Sequence, residues 1–269
     1  MSRGNDRYAV ISFVRTSATA VRCVRLVMRT LVSTRSAWLF AAVSAILVGI
    51  KLLFAFYPGE YPIRSQAAAF GWPLVLAIIA IGLVGLLADH ASGLPEPFAH
   101  GGQDKRGLWI WILAGFVYGL ITIGMYLWHP VNSPLAAKGW EHVLLPWSIP
   151  FYTFGAIFLE YLLRLGALCI LFWFVHRILF RGRWREPSFW VLAAIVALYE
   201  IWPYLVIDFH AGRWGSIALS AIQPLYLSNV FEGWLLYRFG WFMPIVFRLA
   251  FYLVWHIQFG GFAGQLFGY

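Results

Sequence analysis

The sequence predicts an all-α fold: a polytopic transmembrane bundle of about seven spans with its N-terminus in the cytoplasm. Three observations lead there. Hydrophobic residues make up 61% of the chain and charged residues 12%, against a soluble norm of roughly 45 to 50% and about 25%. The apolar residues are gathered into runs of about 20, the length at which a helix crosses the hydrocarbon layer. The formal charge is +9, and Arg3, Arg7, Arg15, Arg22, Arg25, Arg29 and Arg35 all precede residue 36. Such a cluster beside a hydrophobic span reads the anionic inner leaflet and fixes topology, rather than binding nucleic acid.

Residues 1–35 form a basic N-terminal segment. Between Tyr8 and Leu31 it mixes apolar residues with arginine, which predicts an interfacial helix; a cleaved transit peptide has the same composition. Residues 36–269 form the transmembrane domain. The first span runs from about Ser36 to Tyr57 and is ended by Pro58 and Gly59, and the second from about Ala67 to Leu87. A polar connection, Asp89 to Arg106, leads to the third, Leu108 to Trp128, closed by His129 and Pro130.

The stretch from Leu144 to Phe180 is long for one helix, but Pro146 and Pro150 both lie near its start, so a single long span from about Ser148 is expected. A fifth span runs from Ser188 to Ile207, a sixth from about Ile217 to Tyr237, and the seventh from Trp241 to about Phe259, with Gly240 punctuating the final pair. The positive-inside rule tests this division. Lys105 and Arg106, then Arg177, Arg181, Arg183 and Arg185, fall on the same side as the N-terminus, while the intervening loops carry only Arg64, Lys138 and Arg213; the sixth loop, with Arg238 alone, merely ties. Splitting the fourth span in two would put its four arginines on the other side. The location implied is a prokaryotic inner membrane.

An ionisable side chain at bilayer depth costs about 2.5 to 3.5 kcal/mol on insertion scales, so each needs a partner or a purpose. Five stand out: Glu160, Arg164, Glu200, Glu232 and Arg248. Glu160 and Arg164 are four apart and share a helical face, which predicts a structural pair as readily as a functional one. Glu200 has no partner within its own helix and is expected either to take up a proton or to meet Arg248 or Arg164 across the bundle; Arg248 has no acidic neighbour on its own helix, and the two suit one another. Glu232, near Arg238 and the end of its span, reads as an interface residue. His256 reads as a satisfied polar residue, and Lys51 is placed to snorkel. Cys23 and Cys169 have no metal-ligand spacing, so neither a disulfide nor a zinc site is expected. No cofactor, metal or nucleotide site is indicated: close ligand clusters and a Gly-rich phosphate loop are both missing from the sequence.

The segment Gly155-Ala156-Ile157-Phe158-Leu159-Glu160-Tyr161-Leu162-Leu163-Arg164-Leu165-Gly166 resembles the first motif of the CPBP family, the CAAX-type intramembrane glutamic proteases, which reads E-E-x-x-x-R. Leu159 stands where that family's leading glutamate would be. Further on, Gly233-Trp234-Leu235-Leu236-Tyr237-Arg238-Phe239-Gly240 resembles the G-W-L-Y-x-R-x-G run before the last motif. Phe189-Trp190 matches the usual start of the span before it. The likeness covers about residues 108–258. Where the family has a histidine followed four residues later by asparagine or aspartate, this chain has Arg248 and Tyr252, and between Tyr199 and Tyr204 it lacks the family's middle histidine.

In that family, the resemblance implies, the leading glutamate and middle histidine activate a water and the last motif steadies the oxyanion. The expectation for this chain is a catalytically degenerate scaffold, its charges Glu160, Arg164, Glu200 and Arg248 paired among themselves, that binds a transmembrane or lipidated peptide. An endopeptidase with a rearranged site of Glu160, Glu200 and Arg248 is the alternative. It requires water around Glu160; enclosure of Glu160 and Arg164 in packed side chains argues against it. A small-solute transporter would show internal repeats and interrupted helices, and the sequence has neither.

Overall fold

A computed structural model describes residues 33–56, 71–99, 102–128, 143–210 and 225–263. Within them the chain is all-helical: α1 (Thr34–Phe56), α2 (Trp72–Ser92), α3 (Gly102–Trp128), α4 (Ser148–Leu179), α5 (Arg185–His210), α6 (Leu227–Phe239) and α7 (residues 242–263). Five of them, α1 to α4 and α7, are long and apolar enough to cross a membrane. The 13 residues described for α6 cover about 20 Å, less than the hydrocarbon thickness. Large apolar side chains face outward along these helices, among them Trp109, Leu113 and Leu120 on α3 and Leu76 on α2. Contiguous exposed apolar surface of this extent requires lipid; the chain is an integral, multi-pass membrane protein.

The expected interfacial helix from Tyr8 to Leu31, and the start of the sixth span, lie outside the described residues. The single long helix expected from Ser148 is present. The second span is displaced toward its C-terminal side. Pro73, in its first turn, has a φ suited to a helix start, and the helix runs on through Asp89 and His90 to a left-handed cap at Gly93. The polar connection therefore begins at Gly93 and not at Asp89.

Two helix pairs come into contact through glycine. A methyl group added at Gly85 of α2 would lie 2.0 Å from the Leu165 carbonyl oxygen, and α2 packs along the middle of α4 there. On α3, Gly115 and Gly119 form a GxxxG pair against α7: added methyl groups would meet the Phe247 carbonyl oxygen and Val254 Cβ, each at 2.6 Å. Close backbone approach through small residues is how helices gain contact in lipid, where association has no hydrophobic driving force. These two seams hold α4 and α7, the helices that carry Glu160, Arg164 and Arg248.

One end of the bundle is tied together by arginine and the segment after α2. Arg35 donates to the Phe98 carbonyl (2.5 Å), Arg177 to Ala91 (3.1 Å) and Arg185 to Gly93 (2.6 Å). Gly240, between α6 and α7, abuts Pro95 so closely that a Cβ would stand 2.5 Å from its carbonyl oxygen. The start of α1, the end of α4, the start of α5 and the α6–α7 turn thus meet at one basic rim.

Candidate functional site

Glu160 opens a stretch of π-helix inside α4, Glu160–Cys169, with ordinary α-helix before and after it. Such wide turns within an α-helix are uncommon and frequent at functional sites. The next residue, Tyr161, ties this stretch to α1: its ring stacks on Phe40 at 5.0 Å, and its hydroxyl lies 3.2 Å from both the Phe40 carbonyl and the Ser44 hydroxyl. The backbone that aims Glu160 and Arg164 inward is therefore fixed by α1 on one side and by the glycine seam with α2 on the other.

Inward of that backbone, four helices bring together the five ionisable residues. Arg248 of α7 is the hub. Its Nε donates to Glu160 Oε1 at 2.6 Å, its Nη1 to Glu200 Oε1 at 2.9 Å, and its Nη2 to Glu232 Oε2 at 2.5 Å and Asn229 Oδ1 at 2.8 Å. Arg164 of α4 donates through Nη2 to the same Glu232 Oε2 and Asn229 Oδ1, and reaches the Asn229 carbonyl at 3.3 Å and Glu200 Oε2 at 3.5 Å. Asn229 and Glu232, three residues apart on α6, share a face, and each bridges both guanidiniums. The Asn229 amide is set for this task because its Nδ2 donates to the Leu225 carbonyl at 2.8 Å, leaving the oxygen toward the arginines.

The cluster is closed on most sides. Glu160, Arg164 and Glu232 are each 1% exposed, whereas the Glu200 side chain retains 13%. Glu200 is the open edge. Three carboxylates face two guanidiniums, so the fully ionised cluster carries one excess negative charge. Within it, Glu160 Oε2 and Arg164 Nε make no hydrogen bond to any described residue; they lie 3.8 Å apart as an ion pair. The pairing expected between Glu160 and Arg164 is thus the longest contact of the cluster, since Arg164 turns its fork toward α6.

Glu200 and Arg248 meet as expected, and Glu200 meets Arg164 as well. Glu232 is corrected: it is not an interface residue but a buried bridge between both arginines. Asn229 escaped the sequence reading because it is neutral, although a polar amide one turn before Glu232 was the available signal. Beyond the cluster, the Arg248 guanidinium lies 5.9 Å from the Tyr252 ring centre, and His256 stacks on Tyr152 at 4.2 Å and meets Tyr252 edge-on at 4.7 Å. Arg248, Tyr252 and His256 form one ladder down α7 at four-residue spacing.

A second buried polar contact joins α2 to the π stretch of α4: the Cys169 thiol donates to Asp89 Oδ1 at 3.8 Å. It lies on α2 only a few residues before the basic rim, apart from the cluster. Among the described residues no group of three or more His, Cys, Asp or Glu is placed to hold a metal ion; the three glutamates are turned toward guanidiniums instead. Chemically, the arrangement is a charge-assisted hydrogen-bond network, shorter and stronger than neutral pairs, with one accessible carboxylate. Compared with known proteins, the chain matches no family model, no curated sequence and no solved structure.

Proposed function

We propose that this protein is a CPBP-like intramembrane scaffold whose hydrolytic site has degenerated and which binds a transmembrane or lipidated peptide within its bundle. The observation that carries this reading is the engagement of Glu160: its carboxylate receives the Arg248 guanidinium at 2.6 Å and is 1% exposed. A general base must reach the water it activates, and here the residue nearest to that role is enclosed and neutralising a cation. Arg248 stands where the resembled family has a histidine, and its three nitrogens are already committed to three glutamates. That leaves it poorly suited to steady an oxyanion, which needs a donor aimed at the developing charge.

In this reading the bundle spans the membrane seven times, with the basic rim and the N-terminus at the cytoplasmic face of a prokaryotic inner membrane. Arg35, Arg177 and Arg185 gathered at one end support that orientation by the positive-inside rule. The test uses the full-length protein in lipid nanodiscs, incubated with a library of transmembrane and prenylated peptides. Recovery of bound, intact peptides is the expected result. Cleavage by the wild type that Glu160→Gln or Arg248→Met abolishes would overturn it in favour of a glutamate endopeptidase with a rearranged site.

A further inference from the structure

The charge count of the cluster and its one opening together specify a partner chemistry. With all three glutamates ionised, the cluster sets three carboxylates against two guanidiniums, and a buried excess charge calls for an opposite one. Only Glu200 is reachable, its side chain 13% exposed where the others are nearly sealed. Beside it on α5, Tyr199 and Trp202 are 72% and 58% exposed, an aromatic flank on which a partner helix can lie. A second acceptor adjoins it. Pro203 lies inside α5, and proline has no N–H, so the carbonyl of Tyr199, four residues earlier, lacks its usual helical donor. Deeper in, Glu160 is 1% exposed, and its Oε2 accepts no hydrogen bond from the described residues.

We infer that the Glu200 edge receives one cationic side chain, a lysine or arginine, carried at mid-membrane by the transmembrane segment of a partner. The inference rests on the peptide-binding reading above and names what the peptide must contain. The complementarity is mutual. A single lysine in an otherwise apolar helix is costly in lipid and seeks a counterion; this cluster has one carboxylate more than it has guanidiniums, a carbonyl without its helical donor beside Glu200 and an exposed apolar flank for the rest of the helix to lie on. A partner with an acidic residue at the same depth would instead add to the excess charge and be rejected.

The experiment is energy-transfer binding of synthetic transmembrane peptides of about 20 residues to the full-length protein in phosphatidylcholine and phosphatidylglycerol nanodiscs. Three peptides differ only at the central position: lysine, leucine or glutamate. The lysine peptide is expected to bind at least about tenfold more tightly than the leucine peptide, near the upper range of measured polar pairings between membrane helices, with the glutamate peptide weakest. Glu200→Gln is expected to erase the lysine preference and Glu200→Asp to keep it. Equal binding of the lysine and leucine peptides overturns the inference while leaving peptide binding intact; binding of none overturns both. A lysine preference that survives in folded Glu200→Gln overturns the assignment to Glu200. Because the peptide series is read on the wild type, poor folding of one variant does not remove the test.

Discussion

The basic rim and the buried cluster use the same side chain under different conditions. At the rim, Arg177 and Arg185 donate to the backbone carbonyls of Ala91 and Gly93 from exposed positions, where water can replace either contact. In the cluster, Arg164 and Arg248 face three glutamates with almost no exposure, and no solvent can stand in for a missing partner. The difference teaches that an arginine here is worth what surrounds it. The rim arginines tie backbone segments together at an exposed end, while each cluster arginine neutralises buried carboxylates.

The sharpest way to break that contrast is Arg248→Met, which leaves three buried carboxylates against one guanidinium. Removing one partner of a buried ion set costs about 3 to 5 kcal/mol, and unfolding titrations in bicelles are expected to show a loss of that size. Glu232→Gln should cost under about 1.5 kcal/mol, the worth of one weakened charge-assisted hydrogen bond. The amide still accepts from the arginines, and the cluster becomes two against two. If Glu232→Gln is as damaging as Arg248→Met in the same titration, the excess charge is already neutralised in the folded protein and the counting argument fails. Smallest of all, Arg185→Gln at the rim is expected to change stability by within about 0.5 kcal/mol, and a larger change would erase the distinction between the two regions.

Much of the fold is legible in the sequence because bilayer thickness imposes a length on apolar runs and because proline and glycine mark their ends. The described helices overlap the expected runs for that reason, five of them long and apolar enough to cross a membrane; α2 is displaced because Pro73 starts it late and Gly93 caps it late, and the expected start of the sixth span lies outside the described residues. The glycine seams were harder to read: Gly85, Gly115 and Gly119 resemble any other small residues until the partner backbone is seen against them. The π stretch from Glu160 has no composition of its own, since the i→i+5 pattern is a choice of hydrogen-bond register and not of residue type.

The site was half legible. Ionisable residues inside apolar runs announce themselves, and Glu160, Arg164, Glu200 and Arg248 do converge. Glu232 was misjudged from its distance along the chain to Arg238. That distance misleads because α6 packs against both α5 and α7 and turns the face carrying Asn229 and Glu232 toward Arg164 and Arg248. Which guanidinium nitrogen meets which carboxylate, and how Asn229 bridges them, follows from the crossing of four helices and has no counterpart in spacing.

The placement of Arg248 on α7 also sets an order for making the protein. Glu160, Arg164, Glu200 and Glu232 all precede it in the chain, so while synthesis proceeds the earlier helices enter the membrane with three acids and one base among them. They cannot settle against one another in lipid until the last helix arrives with the second base. Without α7 the same helices would hold three acids against one base, so the charge pairing of the bundle is complete only when Arg248 is in place.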